Sequence, residues 1–257
     1  MSQGMLNGKI ALVTGGSRGL GRDTAFRLVE KGADLIITYR SQSKAADSVV
    51  AALGDKGRKA VALQLDVAES SSFDSFYTRV KDALRTVWER DSFDILVNNA
   101  GSGVHGMISG TSEEAFDLMV NTHMKGVFFL TQKALPILAD GGRVVNISSG
   151  LTRFTFPGYA AYASMKGAVE VFTRYLAKEV GGRGITANIV APGAIDNDFN
   201  KAAFDHNPQV KDIIASQTAL GRVGLSEDIG GVVAFLCSSD AGWINGQRIE
   251  ASGGMFL

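Results

Sequence analysis

The stretch Lys9-Ile10-Ala11-Leu12-Val13-Thr14-Gly15-Gly16-Ser17-Arg18-Gly19-Leu20-Gly21 decides how the rest of the chain is read. Its first six residues form a short apolar run suited to a buried strand, and a segment of helical period begins near Leu20. Between them stand glycines at 15, 19 and 21. A strand that turns tightly into a helix leaves the first helical N–H groups free and the positive end of the helix dipole exposed. Glycines in that turn remove the side chains that would hold a pyrophosphate away from the backbone. The spacing G-x-x-x-G-x-G differs from the commoner G-x-G-x-x-G fingerprint. Alone it also fits a plain tight turn, so its meaning depends on the elements around it.

Outward from that turn, short apolar runs alternate with helical segments along the whole chain, the pattern of a mainly parallel sheet covered on both faces. The predicted strands are Lys9 to Thr14, Asp34 to Tyr39, Lys59 to Leu65, Phe93 to Val97, Arg143 to Ile147, Ile185 to Val190 and Gln247 to Ala251. The predicted helices are Leu20 to Lys31, Lys44 to Leu53, Ser71 to Glu89, Glu113 to Leu138, Tyr159 to Val180 and Glu227 to Cys237. No linker-like cluster and no internal repeat divides the sequence. The expected architecture is α/β: a single doubly wound Rossmann domain over residues 1–257 with a mainly parallel seven-stranded sheet. The aperiodic segment from Pro192 to Ser226 is expected to close, as a substrate loop near 193–226, over a pocket at the carboxyl ends of the strands.

Composition narrows the function classes. The 26 basic and 26 acidic residues cancel, which argues against a nucleic-acid-binding face built on general positive charge. Glycine, 31 of 257, is enriched while proline, only 4, is scarce, so the glycines belong to ordered turns rather than linkers. The single Cys237 cannot form an internal disulfide. The stretch Met1 to Asn7 lacks a signal-peptide pattern, and no apolar run approaches membrane-spanning length. A soluble cytoplasmic protein without membrane or nucleic-acid partners is expected. His105, His206 and Cys237 have no metal-ligand spacing, so no metal site is expected.

The end of the second strand selects the dinucleotide. A ribose 2′-hydroxyl would bond an acid there, whereas a 2′-phosphate wants a cation. The strand ends Thr38-Tyr39-Arg40-Ser41, and Asp34 lies at its other end. Arg40, with Arg18 from the glycine turn, is placed for a phosphate, because planar guanidinium donors bind it bidentately. The other reading makes both solvated surface charges. NADP(H) is the expected cofactor.

Tyr162 and Lys166 lie four residues apart on a predicted helix, hence on one face, and a cation beside a phenol favours the phenolate. Tyr159, four residues before Ala163, lacks such a partner and is expected to pack. With these residues the chain resembles the short-chain dehydrogenase/reductase family, and the resemblance covers nearly all of it. It rests on Thr14 to Gly21, Asp66-Val67, Asn98-Asn99-Ala100-Gly101, Asn146-Ile147-Ser148-Ser149, Tyr162-x-x-x-Lys166, Pro192-Gly193, Gly246-Gln247 and Gly253-Gly254. No one motif is specific, but their order and spacing are. The resemblance implies that Tyr162 exchanges a proton with the substrate oxygen, that Ser149 holds that oxygen, and that Lys166 bonds the nicotinamide ribose. It also implies cofactor contacts at Gly15, Ser17, Arg18, Gly19, Leu20, Gly21, Arg40, Ser41, Asp66, Val67, Asn98, Ala100, Gly101, Tyr162, Lys166, Pro192, Gly193 and Ile195. For Asp66 a solvated turn is an equal alternative. Ser148, next to Ser149 on the strand, should point to the opposite side.

The sequence departs from the family at a few positions. His123 stands where most members have a relay asparagine, and Asn121 is about 200° round an α-helix from it, so it cannot substitute. His123 either takes over the relay as a catalytic residue or is a passive packed histidine. Asn197 occupies the place of a threonine that bonds the nicotinamide amide, and Ser252 that of a common aspartate. Leu151, Phe154, Phe156 and Met107 are expected to line an apolar substrate pocket, with Arg153 available to an anionic tail. The implied function is an NADPH-dependent oxidoreductase acting on a ketone or secondary alcohol, with a 3-oxoacyl chain as one substrate type; the apolar C-terminus suggests a homotetramer. The alternative is a dinucleotide-sensing regulatory or scaffold protein.

Overall fold

The central strands are buried on both faces, and for that reason their sequences read as unbroken apolar runs rather than alternating ones. A computed structural model describes residues 5–206 and 209–257. The segments 1–4 and 207–208, and the side chains of Ala202, Ala203 and His206, fall outside it, so part of the N-terminal stretch and of the late segment is not described. The strands are β1 (Ile10–Val13), β2 (Asp34–Tyr39), β3 (Ala60–Gln64), β4 (Phe93–Asn98), β5 (Leu138–Ile147), β6 (Thr186–Pro192) and β7 (Arg248–Ala251). They form one parallel sheet in the order β3-β2-β1-β4-β5-β6-β7. The chain moves outward from β1 through β2 to β3, then crosses back to β4. That reversal opens a crevice at the carboxyl ends of β1 and β4.

Alternate residues of each strand feed two apolar layers. Ala11, Val13, Leu35, Ile37, Ile95 and Val97 pack beneath α1 (Gly19–Glu30), α2 (Ser43–Gly54) and α9 (Glu227–Leu236). Ile10, Leu12, Ile36 and Leu96 face α3 (Phe73–Trp88), α5 (Gly126–Ala134) and α6 (Ala160–Val180). Cys237, just past α9, is 4% exposed inside the first layer, and burial pushes its thiol up to about 12. No helix is long and apolar enough to cross a membrane among the described residues.

Two predicted segments come out differently. The single helix expected from Glu113 to Leu138 is broken into α4 (Glu113–Val120), a π turn (Asn121–Lys125) and α5, then a 3-10 turn (Leu135–Ile137). Leu138 already belongs to β5. Gly126, the first residue of α5 after the π turn, packs closely against the segment that follows β3: a Cβ there would lie 2.2 Å from the Val67 carbonyl oxygen and 2.8 Å from that of Asn121. The late segment is also more regular than expected, with α7 (Lys201–His206) and α8 (Gln209–Ser216). α4 starts as a helix should, with the Ser112 hydroxyl accepting from the Ala115 N–H and with Glu113 and Glu114 in its first turn.

Candidate active site

The crevice widens into a cavity of about 690 Å³ that runs from the glycine turn to the late segment. At one end Gly15, with φ +66, turns the chain from β1, and a Cβ there would lie 3.0 Å from Ala100 Cα. A Cβ on Gly21 would lie 2.2 Å from the Gly15 carbonyl oxygen, so α1 can approach the turn this closely only without a side chain. Asn99 and Thr14 tie the turn to the end of β4. The Asn99 amide donates to the Thr14 carbonyl at 2.8 Å, and the Thr14 hydroxyl accepts from the N–H groups of Asn99 and Ala100, both at 2.9 Å. The result is a bare backbone cradle at a helix start, which fits a pyrophosphate.

Ser17, Arg18, Gly19, Leu20, Arg40, Ser41, Asp66, Val67, Ala100, Gly101, Pro192, Gly193, Ile195 and Asn197 all lie on the wall of this cavity. The Arg40 side chain has no ion pair among the described residues, while Arg18 faces Asp198 at 3.6 Å across the cleft mouth. The Asp66 carboxylate accepts from the Ala68 N–H at 2.9 Å, making the turn that sequence allowed, and it still borders the cavity. Asn197 spends its side-chain oxygen inside its own loop, accepting from the N–H of Phe199 at 3.0 Å, so only its amide hydrogens remain for a ligand. Asn98, expected among the cofactor contacts, is not on this wall. It is 5% exposed, and its amide spans Thr131 and Asn146 at 2.9 and 2.8 Å. The residue at the cradle is its neighbour Asn99.

At the other end stand Ser149, Tyr162 and Lys166. Ser149 lies two residues past β5, at the start of the 3-10 turn Gly150–Thr152, and Tyr162 and Lys166 sit on α6, one turn apart. Ser149 and Tyr162 both border the cleft, the hydroxyl near enough to favour the phenolate, and the Lys166 ammonium lies 5.6 Å from the centre of the phenol ring. Lys166 donates to the Ile147 carbonyl at 2.7 Å, which leaves two ammonium hydrogens for the cleft. Burial pulls its pKa from 10.5 down to about 8. The expected lowering of the Tyr162 phenol by that cation is not found: burial pushes the phenol above its ordinary 10, and the nearby Ser149 hydroxyl opposes this only in part. Removing both groups from water outweighs their mutual effect. Ser148 points the other way, as expected, and donates to Glu170 at 2.7 Å.

His123 sits in the π turn, 1% exposed, with its ring edge-on to that of Tyr162 at 5.0 Å. Its Nε2 lies 2.5 Å from the Ser102 carbonyl oxygen, which can only accept, so Nε2 carries the proton. Burial, with Lys166 adding to it, holds His123 down at about 3. The ring is therefore neutral, and Nδ1 is a buried lone pair without a partner among the described residues.

The substrate end is walled by Leu151, Phe154, Phe156, Tyr159, Phe199 and Ile214. Phe199 packs 5.8 Å from the Tyr162 ring. Tyr159, expected only to pack, is on this wall. Met107 is not: it is 56% exposed and away from the cavity. Arg153 is not free for an anionic tail either, because it grips Glu250 through two hydrogen bonds of 2.7 and 2.6 Å.

The sequence profile described as Enoyl-(Acyl carrier protein) reductase matches residues 15–256. The chain belongs to the short-chain dehydrogenase/reductase family. It is 37% identical to the 3-oxoacyl-[acyl-carrier-protein] reductase FabG of Staphylococcus aureus over 97% of this chain and 98% of that one. It is 37% identical to the hydroxynaphthalene reductase-like protein Arp2 of Metarhizium brunneum over 97% and 95%. The crystal structure of the angucycline C-6 ketoreductase LanV with bound NADP superposes with a TM-score of 0.94 at 38% identity, covering 99% of this chain and 98% of that one.

Proposed function

We propose that this member of the family reduces a neutral, flat, largely aromatic ketone, with Ser149, Tyr162 and Lys166 as its working side chains. The protein is an NADP(H)-dependent oxidoreductase acting on a carbonyl, and the sensor alternative is set aside. The observation that carries the reading is that Ser149, Tyr162 and Lys166 stand together on the wall of a cleft whose far end is a glycine cradle beside Arg40. Two O–H groups on one stretch of cleft wall suit a carbonyl oxygen, and hence a ketone, better than a carbon–carbon double bond.

NADPH, when bound, supplies the hydride. Ser149 and Tyr162 donate hydrogen bonds to the substrate oxygen. As negative charge grows there, Tyr162 gives up its proton, general-acid catalysis worth ~10²–10⁴-fold. The raised phenol pKa keeps that proton in place until it is needed. Lys166, still largely protonated at neutral pH, is next to the phenolate that results. The neutral His123 holds the ring of Tyr162 from the side, and its Nδ1 lone pair stays a hydrogen-bond acceptor there because the ring does not take up a proton near neutral pH.

The aromatic preference is supported by the wall of Phe154, Phe156 and Phe199, by the pairing of Arg153 with Glu250, and by relatives named as hydroxynaphthalene and angucycline reductases. The same segment over the cleft, near 193–226, is read as the substrate loop. A homotetramer is supported by exposed apolar residues such as Phe128, Phe129 and Trp243, and a cytoplasmic location by the lone cysteine. The test follows NADPH oxidation with 2-tetralone and with acetoacetyl-coenzyme A. Turnover of 2-tetralone abolished by Tyr162→Phe supports the reading, and a clear preference for the charged thioester overturns the aromatic assignment.

A further inference from the structure

We propose that Glu170 and Arg248 are positioning residues for Ser149, and that their ion-paired chain, continued through Glu250 to Arg153, fixes the C-terminal wall of the substrate cleft. The proposal rests on the ketone-reductase reading. Tyr162, Lys166 and Glu170 follow one another at four-residue intervals along one face of α6. Tyr162 and Lys166 reach the cleft, and Glu170 reaches the strand end that carries Ser149. One oxygen of its carboxylate accepts from the Ser148 hydroxyl at 2.7 Å and from Arg248 Nε at 2.9 Å, and lies 2.8 Å from the Thr152 hydroxyl. The residues before and after the serine's turn are thus held by a single atom. Arg248 donates onward to the Thr152 hydroxyl at 3.1 Å and to the Ser149 carbonyl at 3.3 Å.

The chain then continues along β7. Arg248 and Glu250 are two residues apart, on one face of the strand, and pair at 3.0 Å. Glu250 accepts from Arg153 Nε and Nη2, and Arg153 also donates to the carbonyls of Met255 and Phe256. Met255, 1% exposed, is part of the cleft wall and packs with Phe204 and Ile214. The Phe256 ring lies 5.2 Å from Phe154. Two acids and two bases balance, and the two carboxylates are only 14% and 18% exposed. Removing one partner strands the charge of the next. One network therefore orients the serine from behind and clamps the tail that shapes the pocket.

A double-mutant cycle separates these roles from general support of the fold. Wild type, Ser149→Ala, Glu170→Gln and the double variant are compared with 2-tetralone and NADPH, alongside the NADPH dissociation constant. A 1 Å misplacement costs up to ~10²-fold. Glu170→Gln is expected to lower kcat about tenfold with NADPH affinity unchanged, to regain most of it as Glu170→Asp, and to add nothing in the Ser149→Ala background. Arg153→Gln is expected to raise the 2-tetralone KM severalfold with kcat nearly intact. If Glu170→Gln fails to fold, Thr152→Val cuts the same link without stranding a charge and enters the same cycle. An effect that multiplies with Ser149→Ala, or an Arg153→Gln loss confined to kcat, overturns the proposal while leaving the reductase reading intact. A wild type inert to every ketone tested defeats both.

Discussion

His123 makes a quantitative prediction about acid stability that needs neither substrate nor cofactor. In the unfolded chain a histidine titrates near 6.5, whereas in the folded protein burial and Lys166 hold it at about 3. The folded pKa is depressed, so between these values the unfolded chain binds a proton that the folded one does not, and stability falls as pH falls through that window. Above pH 6.5 the effect is absent. At pH 4.5 it amounts to two decades below the unfolded pKa, or ~3 kcal/mol. The perturbation is His123→Asn. Urea unfolding of wild type and variant at pH 7.5, 6.0 and 4.5 gives the difference at each pH, in which the carboxylates common to both cancel. The variant is less stable at pH 7.5 because ring packing is lost, and it should recover ~3 kcal/mol relative to wild type by pH 4.5. A gap that stays constant across the three pH values refutes a neutral, buried ring at this site.

Three further outcomes follow from the geometry. His123→Phe, which removes the Nδ1 acceptor and the Ser102 bond, should depress turnover, whereas His123→Asn should stay near wild type; equal activity in steady-state assays removes any role in proton movement. Arg40→Ala should raise the NADPH KM roughly tenfold to a hundredfold, the range of a hydrogen bond to a charged group, and leave that for NADH unchanged; a preference for NADH in the wild type that survives the change overturns the cofactor assignment. Gly126→Ala should destabilise by ~1–3 kcal/mol in urea unfolding, because its Cβ would meet two backbone oxygens that cannot step aside; a neutral substitution would mean that the π turn is not held where it is described.

The sheet was legible because its strands are nearly continuous apolar runs bounded by glycine and charge, and the alternation with helices leaves little topological choice. Residues clustered in short motifs were legible too: the glycine turn, Arg40, and the pair Tyr162 and Lys166. The break in the helix after Val120 was not, because a π turn inserts one residue without altering the apolar pattern by which helices are recognised. The role of Asn98 was not legible either. Within Asn98-Asn99 nothing local says which amide turns inward to Thr131 and Asn146 and which reaches the Thr14 carbonyl. The Tyr162 phenol shows a different limit. Spacing reveals a neighbouring cation, but the opposing cost of burial depends on everything packed around the pair. Arg153 and Glu250 are 97 residues apart, and their pairing depends on how β7 and the turn after Ser149 come together.

The solitary thiol of Cys237 gives the molecule a built-in reporter. Shut inside the layer under α9 and with almost no thiolate at neutral pH, it should ignore maleimides and peroxide as long as that layer stays closed. Its alkylation rate therefore counts how often the dinucleotide-binding half of the sheet opens, and any ligand that seats on the glycine cradle should slow that clock.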